Sequence, residues 1–236
     1  DGLDLVATGA VVDDMVAAGV TAIAVAEAFS PDDDSNEQAV RTLIAERGVP
    51  VCASSELTGL YGLELRAVTA AINASIIPIA LRTASVVEAG VADVGVQSPV
   101  MVMRGDGGAT DLTGFREAPA RTLYSGPAAS VAGALRYSHF MDGVVVEIGG
   151  TSTNVAAIRA GHPALSYVTV ASHATALRSL DVRVLGVAGG SMLRTRRRKV
   201  YGVGPRSAHI AGLAYACFSD PPALVGATTA EVAPLD

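Results

Sequence analysis

The segment GVVVEIGGTSTNVAAI, from Gly143 to Ile158, decides the fold of this chain. Two runs of β-branched apolar residues flank two glycines and three hydroxyl residues, which predicts a strand, a tight turn and a second strand. Gly149 and Gly150 allow the backbone to turn without a Cβ penalty, and they allow a ligand to approach the main chain. Successive N–H groups in such a turn can bind an anion.

Hydroxyl and carboxylate side chains surround these glycines. Thr151 and Ser152 follow the glycines, and Glu147 stands at the end of the incoming strand. A carboxylate in that position is suited to hold a hydrated Mg²⁺ beside a phosphate. An ordinary glycine hairpin is the alternative, and the residues alone leave both interpretations open.

The same segment resembles the second phosphate loop of actin-like ATPases, in the form found in the hydantoinase/oxoprolinase family. Three further stretches resemble that family in the same order. They are MVMRGDGG at 101–108, SGPAAS at 125–130 and VGPRSA at 203–208. Together the four motifs indicate a hydantoinase A-like subunit, of which this sequence resembles an internal portion.

The resemblance implies an α/β fold of the actin-like ATPase (ribonuclease H-like) type, with mixed sheets flanked by helices, present here in part. Residues 1–62 would form the C-terminal part of the first actin-like half. Residues 63–236 would form the first part of the second half, the hydantoinase A domain with its phosphate-loop hairpin. The family's first phosphate loop, Asp-Val-Gly-Gly-Thr-Phe-Thr-Asp, does not occur in this sequence.

For function, the resemblance implies the nucleotide-side portion of an ATP-dependent amidohydrolase of the hydantoinase/5-oxoprolinase type. Such an enzyme cleaves the C–N bond of a cyclic amide after ATP has activated the amide oxygen. ATP and Mg²⁺ are the expected cofactors, with Gly149, Gly150, Thr151 and Ser152 on the phosphates and Glu147 as catalytic residue and metal ligand. Asn154 stands where the family most often has Asp, so no metal role is carried over to it.

The resemblance also implies partners. A small cyclic amide or ketone is the expected substrate, and a second, hydantoinase B-like subunit is the expected protein partner; a homo-oligomer is a further option. The isolated chain is expected to be inactive because the first phosphate loop is missing. Three alternatives stay open: a non-catalytic fragment or scaffold with an incomplete ATP cleft, a subunit of an acetone or acetophenone carboxylase-type complex, and a small-molecule kinase of the same superfamily.

Three other stretches supply candidate site residues. Asp106 follows a short strand and is a candidate catalytic base or metal-side ligand, or else the acid of an ordinary Asp-Gly turn. Ser125 and Gly126 precede a helix predicted from Ala128 to Tyr137 and are candidates for cofactor binding, with N-capping by Ser125 as the alternative. Gly189 and Gly190 are candidates for nucleotide contact, or else a tight connection between strands.

Periodicity predicts the remaining elements. Helical patterns occupy residues 10–18, 35–47 and 63–89, with Pro78 expected to kink or break the third. Strand patterns occupy 20–26, 49–53, 100–103, 166–171 and 182–187, and 192–195 pairs with 199–203 in a hairpin. Alternating helices and strands before residue 54 predict parallel layering.

Several polar residues within these patterns have two interpretations. Ser35 and Gln38 have the spacing of a capping box. Glu64 and Arg66 either face a ligand or belong to a solvated helix end. Asn73 either bonds to backbone groups or contacts a substrate.

The amino-acid composition limits the other functions and locations that this protein could have. Half of the 236 residues are hydrophobic and 17% are charged, which predicts a globular protein with a buried core. The net charge of −6 argues against nucleic-acid binding, and the basic run at 194–199 is predicted to be a solvated hairpin tip. Cys52 and Cys217 suggest neither a disulfide framework nor a zinc site, and a cytoplasmic location is expected. Apolar runs are interrupted before about 20 residues, so no membrane span is expected.

Overall fold

A computed structural model describes residues 2–197, 199–213, 215, 218 and 220. The chain divides into two compact units. Unit 1 comprises Asp1–Ala132 and Leu165–Leu180, and unit 2 comprises Gly133–Ala164 and Asp181–Asp236. The boundary expected between residues 62 and 63 stays a prediction.

The described helices and strands alternate in the first part of the chain, and strands dominate the last part. The helices are α1 (Leu5–Ala17), α2 (Ser35–Ala45), α3 (Ser54–Leu57), α4 (Leu63–Asp93), α5 (Leu112–Glu117), a 3-10 helix (Pro119–Thr122) and α6 (Ser125–Ser138). The strands are β1 (Ile23–Val25), β2 (Val51–Ala53), β3 (Met101–Met103), β4 (Ala109–Asp111), β5 (Gly143–Ile148), β6 (Thr153–Arg159), β7 (His162–Pro163), β8 (Leu165–Val170), β9 (His173–Leu180), β10 (Val182–Leu185), β11 (Ser191–Arg196) and β12 (Lys199–Ser207).

The first part of unit 1 contains two parallel strands that pack against helices. β1 pairs with β2 in parallel register, which confirms the parallel layering predicted from the sequence. Val12, Ile23, Ile44 and Val49 form one buried cluster between these strands and helices α1 and α2. Ile44 is 1% exposed, and burying a side chain of this size contributes roughly 1.5–3 kcal/mol.

Helix α4 is the longest element of unit 1, and it runs unbroken through Pro78 for 31 residues. The break considered at this proline therefore does not occur. Proline removes one backbone hydrogen bond, but tertiary packing supplies most of a helix's stability in a protein. Buried residues on both sides of the proline, from Ala74 to Ala84, hold the two halves of the helix against the core.

The expectation that every apolar run is too short for a membrane span is wrong for α4. By length and composition alone, this helix is long and apolar enough to cross a membrane, and a third of its most apolar window is buried within the protein. A single such helix is weak evidence, because core helices pass the same test. The buried stripe of α4 also carries polar side chains, namely Arg66, Thr69 and Asn73.

Arg66 belongs to a buried polar network that joins three elements of unit 1. Its side chain is fully buried, so the solvated interpretation is wrong for Arg66, whereas Glu64 is exposed. The Arg66 Nε donates to Ser54 Oγ at 3.2 Å, and the Ser54 hydroxyl donates to Glu37 Oε1 at 2.7 Å. The guanidinium also donates to the backbone carbonyl of Glu27. The network therefore connects α2, the start of α3 and α4.

Asn73 makes a second connection across the same core. Its Nδ2 donates to the carbonyl oxygen of Glu117 at 2.8 Å, and its Oδ1 accepts from the N–H of Ala120 at 3.0 Å. The interpretation of Asn73 as a residue that bonds to backbone groups is confirmed. It holds α5 and the 3-10 helix against α4.

The capping box predicted at Ser35 is wrong. The N-cap position of α2 is Asp34, and the Ser35 N–H donates to Asp33 Oδ1 at 3.0 Å. The Gln38 side chain donates to Asp34 Oδ2 at 3.0 Å instead of reaching back to a serine backbone. Carboxylates are stronger acceptors near a helix N-terminus than a hydroxyl, because the helix dipole favours negative charge there.

Unit 2 is built from antiparallel strands. β6 lies between β5 and β10, with β7 pairing the end of β6, and β11 pairs with β12. The predicted hairpin at 192–203 is therefore confirmed. At its tip Arg194, Arg196, Arg197 and Lys199 are exposed, as expected for a solvated tip. Arg198, Cys217 and the sequence from 221 onward lie outside the described residues.

Candidate functional site

The central segment folds as a hairpin in unit 2. β5 and β6 pair in antiparallel register with Glu147 opposite Asn154 and Ile148 opposite Thr153, which leaves residues 149–152 as the turn. The Gly149 N–H closes the turn by donating to the Ser152 carbonyl at 3.0 Å. The strand, turn and strand predicted from the sequence are confirmed.

A second glycine turn lies directly against the first. The Gly189 N–H donates to the Gly149 carbonyl at 3.1 Å, and the Gly190 N–H donates to the Gly150 carbonyl at 2.8 Å. The Thr153 hydroxyl adds a bond to the Val187 carbonyl at 2.6 Å. The structure thus brings together the two glycine pairs that the sequence placed 40 residues apart.

This pairing leaves the first turn rich in free donors. The carbonyls of Gly149 and Gly150, which would repel an anion, are already occupied by the second turn. Among the residues that the structure describes, the N–H groups of Gly150, Thr151 and Ser152 have no hydrogen-bond acceptor. Backbone N–H groups that lack a protein acceptor favour a bound anion. The turn can therefore receive a phosphate group.

Space around the two turns differs. A Cβ at Gly190 would lie 2.5 Å from the Gly150 carbonyl oxygen and 2.5 Å from the Tyr215 hydroxyl, so only glycine fits there. A Cβ at Gly150 would meet nothing within 4 Å. Gly190 is therefore required by the contact between the turns, whereas the open side of Gly150 leaves room for a ligand.

Glu147 and Asn154 face each other across the hairpin next to the turn. The Asn154 Nδ2 donates to Glu147 Oε2 at 2.8 Å and so orients the carboxylate. The Asn154 Oδ1 is buried without a hydrogen-bond partner among the described residues. A buried amide oxygen without a donor costs roughly 1–3 kcal/mol, so this site favours a ligand that brings O–H donors.

A hydrated Mg²⁺ fits that requirement. Mg²⁺ usually keeps several waters and takes one or two carboxylates together with substrate phosphates. Glu147 would supply the carboxylate and the neighbouring turn would position the phosphate. Within the described residues no group of three or more His, Cys, Asp or Glu side chains could hold a metal by itself. The metal role of Glu147 stays a prediction that these contacts support.

Asp106 lies in unit 1, in the turn between β3 and β4. Its Oδ1 accepts from Arg104 Nε at 3.1 Å and from the Gly108 N–H at 3.0 Å. Burial alone would raise the pKa of Asp106, but the hydrogen bonds from Arg104 and Gly108 lower it below its ordinary value. A carboxylate of low pKa is a weak proton acceptor, so these contacts favour the turn interpretation. The catalytic role of Asp106 stays a prediction.

Ser125 and Gly126 lie in the first turn of α6, within unit 1. The helix begins at Ser125 instead of at residue 128, the start that the sequence suggested. Gly126 has no neighbour that a Cβ would meet within 4 Å. Their role in cofactor binding stays a prediction.

Sequence reasoning missed the position of Asn154. It treated this residue as a weakened metal ligand, whereas the structure places its amide on the Glu147 carboxylate. Hairpin register could have revealed the pair, because a turn at 149–152 puts residues 147 and 154 opposite each other.

Comparison with known proteins extends these observations. Residues 66–232 match the model of the hydantoinase/oxoprolinase family. The alpha subunit of a caprolactamase from Pseudomonas jessenii is 28% identical over 212 residues, which cover 87% of this chain and 30% of that protein. The chain thus spans less than a third of the length of this relative.

Two solved structures are similar. The ATP-dependent caprolactamase from Pseudomonas jessenii gives a TM-score of 0.72 at 26% identity, over 88% of this chain and 31% of that one. A nucleotide-free acetone carboxylase, from work on ATP-dependent acetone carboxylation, gives 0.68 at 25% identity, over 85% and 30%. These likenesses confirm the mixed α/β, actin-like fold expected from the sequence. The chain belongs to the hydantoinase/oxoprolinase family.

Proposed function

We propose that this chain binds the phosphates of ATP at the turn of residues 149–152, as the nucleotide-side portion of an ATP-dependent enzyme. The observation that supports this proposal most strongly is the set of hydrogen bonds at the turn. Among the described residues, the N–H groups of Gly150, Thr151 and Ser152 have no acceptor, whereas the carbonyls of Gly149 and Gly150 already accept hydrogen bonds from the second glycine turn. Relatives that use ATP support this role. Thr151 and Ser152 add hydroxyl donors for the phosphate oxygens.

Within the same proposal, Glu147 holds a hydrated Mg²⁺ and Asn154 orients the carboxylate. The 2.8 Å bond from the Asn154 amide leaves Glu147 Oε1 for the water shell of the metal. Mg²⁺ neutralises the charge that develops on the phosphates during transfer. Gly189 and Gly190 support the phosphate turn from behind through their two hydrogen bonds to its carbonyls.

The proposed reaction is ATP-dependent cleavage of a cyclic amide. A caprolactamase is similar to this chain in both sequence and structure, which supports a lactam-type substrate. ATP would transfer its γ-phosphoryl group to the amide oxygen and release ADP, which makes the amide carbon a stronger electrophile. Water would add to this carbon, the ring nitrogen would leave as an amine, and a second water would hydrolyse the resulting acyl phosphate. The protein would position the phosphates and offset their charge. A carboxylation reaction is the second candidate, because an acetone carboxylase shares the fold at a TM-score of 0.68.

A further subunit belongs to the proposal. The caprolactamase relative is named as a subunit alpha, and this chain spans 30% of it. We therefore expect amide cleavage to need protein parts beyond these residues, while binding of Mg·ATP needs the hairpin.

Calorimetric titration of the chain with Mg·ATP tests the binding role, beside the variants Gly150→Asp and Gly150→Asn. Both side chains have nearly the same shape and enter the open space at Gly150, so they differ in charge and in the N–H donors of the Asn amide. The carboxylate of the Asp variant would repel the phosphates. We expect affinity at least about tenfold lower for Gly150→Asp than for Gly150→Asn. Equal affinities, or no binding by the wild-type chain, would contradict the proposal.

A further inference from the structure

A second site in unit 1 is a cleft of about 280 Å³ lined by arginines. Its lining residues are Leu57, Arg104, Asp106, Arg121, Ala176, Leu177 and Arg178. Three guanidinium groups and one carboxylate leave the cleft with an excess of two positive charges at neutral pH. Its volume lies just below the usual range for ligand pockets, which indicates a small ligand.

The backbone fixes the shape of this cleft by joining three segments at Gly105. The Gly105 N–H donates to the Arg121 carbonyl at 2.8 Å, and the Leu180 N–H donates to the Gly105 carbonyl at 2.8 Å. A Cβ at Gly105 would lie 1.9 Å from the Leu123 carbonyl oxygen, so the close approach requires glycine. The β3–β4 turn, the 3-10 helix and β9 therefore meet at one point, and each contributes an arginine.

Two of these arginines are held in place by protein partners. Arg104 pairs with Asp106, with Nε and Oδ1 3.1 Å apart, so its charge is offset. Arg121 Nη2 donates to the carbonyl oxygens of Glu56 at 2.9 Å and Leu57 at 3.3 Å. Carbonyl oxygens orient a guanidinium without cancelling its charge. Arg121 is thus a positioned cation on the wall of the cleft.

Arg178 is different. It stands on β9 opposite Tyr167 of β8, with an exposed side chain. Its side chain has no hydrogen-bond or ion-pair partner in the part of the chain that the structure describes. Two uncompensated guanidinium groups on one small cleft repel each other unless an anion lies between them. The planar fork of arginine matches the oxygens of carboxylate and phosphate groups.

We propose that this cleft binds the carboxylate or phosphate group of a small-molecule ligand, with Arg121 and Arg178 as the ligating cations. Arg104 is held by Asp106 at the edge of the same cleft. The site goes beyond the proposed ATP-binding role and does not depend on it.

Calorimetric titration of the whole chain with succinate, and separately with inorganic phosphate, tests the proposal at low ionic strength. Arg178→Gln removes the charge of one ligating residue, and Arg183→Gln makes the same change at an exposed position on β10. We expect binding of at least one anion by the wild type, about tenfold or more weaker binding by Arg178→Gln, and no change in Arg183→Gln. Arg178→Lys keeps the charge but loses the planar guanidinium fork, so its affinity should lie between those of the wild type and Arg178→Gln.

The two anions identify the ligand group. Tighter binding of succinate supports a carboxylate ligand, and tighter binding of phosphate supports a phosphorylated one. Gly150→Asp separates this site from the turn at 149–152, since it should leave binding at the cleft unchanged. Phosphate binding that is lost in Gly150→Asp but kept in Arg178→Gln would contradict the proposal, as would equal affinities in the two glutamine variants or no binding by the wild type.

Discussion

Replacement of Glu37 by glutamine tests whether the buried network holds unit 1 together. Glu37 is 1% exposed on α2. Its Oε1 accepts from the Glu27 N–H at 2.8 Å, from Ser30 Oγ at 2.5 Å and from Ser54 Oγ at 2.7 Å, and its Oε2 accepts from the Ser55 N–H at 2.9 Å. Both carboxylate oxygens are therefore acceptors, and glutamine has only one.

The expected cost follows from these contacts. In the glutamine variant the amide nitrogen would face the Ser55 N–H, so two donors meet without an acceptor between them. One unsatisfied buried group costs roughly 1–3 kcal/mol, and the three bonds to the other oxygen weaken because they lose their charge. We expect a loss of about 3 kcal/mol in the free energy of unfolding of unit 1. Glu46→Gln makes the same change at the exposed end of the same helix and should cost less than about 0.5 kcal/mol.

The pH dependence of the free energy of unfolding is a second, independent test of the role of Glu37. Burial alone would raise the pKa of Glu37, but the hydrogen bonds from the serines and from the backbone lower it below its ordinary value in the folded state. In the unfolded chain the Glu37 carboxyl has its ordinary pKa of about 4.3, so as the pH falls this group is protonated in the unfolded chain before it is protonated in the folded protein. Stability from Glu37 is therefore fully present above that pH and is lost as the pH falls toward the folded pKa. The glutamine variant lacks this part of the pH dependence.

Urea unfolding followed by circular dichroism measures both effects, because most of the described helical residues lie in unit 1. The difference between wild type and Glu37→Gln should be largest at pH 7 and should shrink below about pH 4.3. The reasoning fails if Glu37→Gln is no less stable than Glu46→Gln, or if the difference is the same at pH 7 and at pH 3.5.

Three further changes probe single contacts. Gly190→Ala would place a Cβ 2.5 Å from the Gly150 carbonyl oxygen, so it should cost about 2 kcal/mol of stability and weaken Mg·ATP binding. The control Gly126→Ala lies in a helix and should be neutral or slightly stabilising. Thermal unfolding and calorimetry compare the two variants. Asn73→Ala would leave the buried Ala120 N–H and the part-buried Glu117 carbonyl without partners and should cost about 2–4 kcal/mol in urea unfolding, against less than about 0.5 kcal/mol for the exposed Asn36→Ala. Burial raises the pKa of the Cys52 thiol to about 11, so peptide mapping after iodoacetamide at pH 8 should find it unmodified until urea unfolds the chain. Equal losses within either pair, or rapid alkylation of folded Cys52, would contradict these expectations.

Local patterns carried much of the fold. The run from Gly143 to Ile158 has β-branched residues on both sides of a glycine turn, so the hairpin was predictable with its turn in place. Strand β9 was missed because HATALRSL contains a single β-branched residue and its alternation of polar and apolar side chains stops after the first four residues. Its strand conformation depends on tertiary packing, with most of its residues from Thr175 to Leu180 buried.

The features of the site that could not be predicted from the sequence depend on contacts between residues that are distant along the chain. The two glycine pairs were each predicted, but their mutual hydrogen bonds depend on how β10 returns beside β6. Arg66 was expected at a helix end, and only the fold shows the carbonyls and the hydroxyl that surround it. A fully buried arginine is rare without such partners, so from the sequence alone Arg66 is expected to be exposed.

The most direct test of phosphate binding at the hairpin turn is a nuclear magnetic resonance titration of the ¹⁵N-labelled chain with Mg·ATP. The backbone amides of Gly150, Thr151 and Ser152 lack acceptors, so a phosphate that binds there should shift their resonances more than those of other residues in unit 2. The Gly149 amide, which already donates to Ser152, should shift less. Saturable shifts centred on residues 150–152 are the expected result. Unchanged resonances at these three residues, while Mg·ATP binds elsewhere or not at all, would contradict the assignment of the turn to ATP.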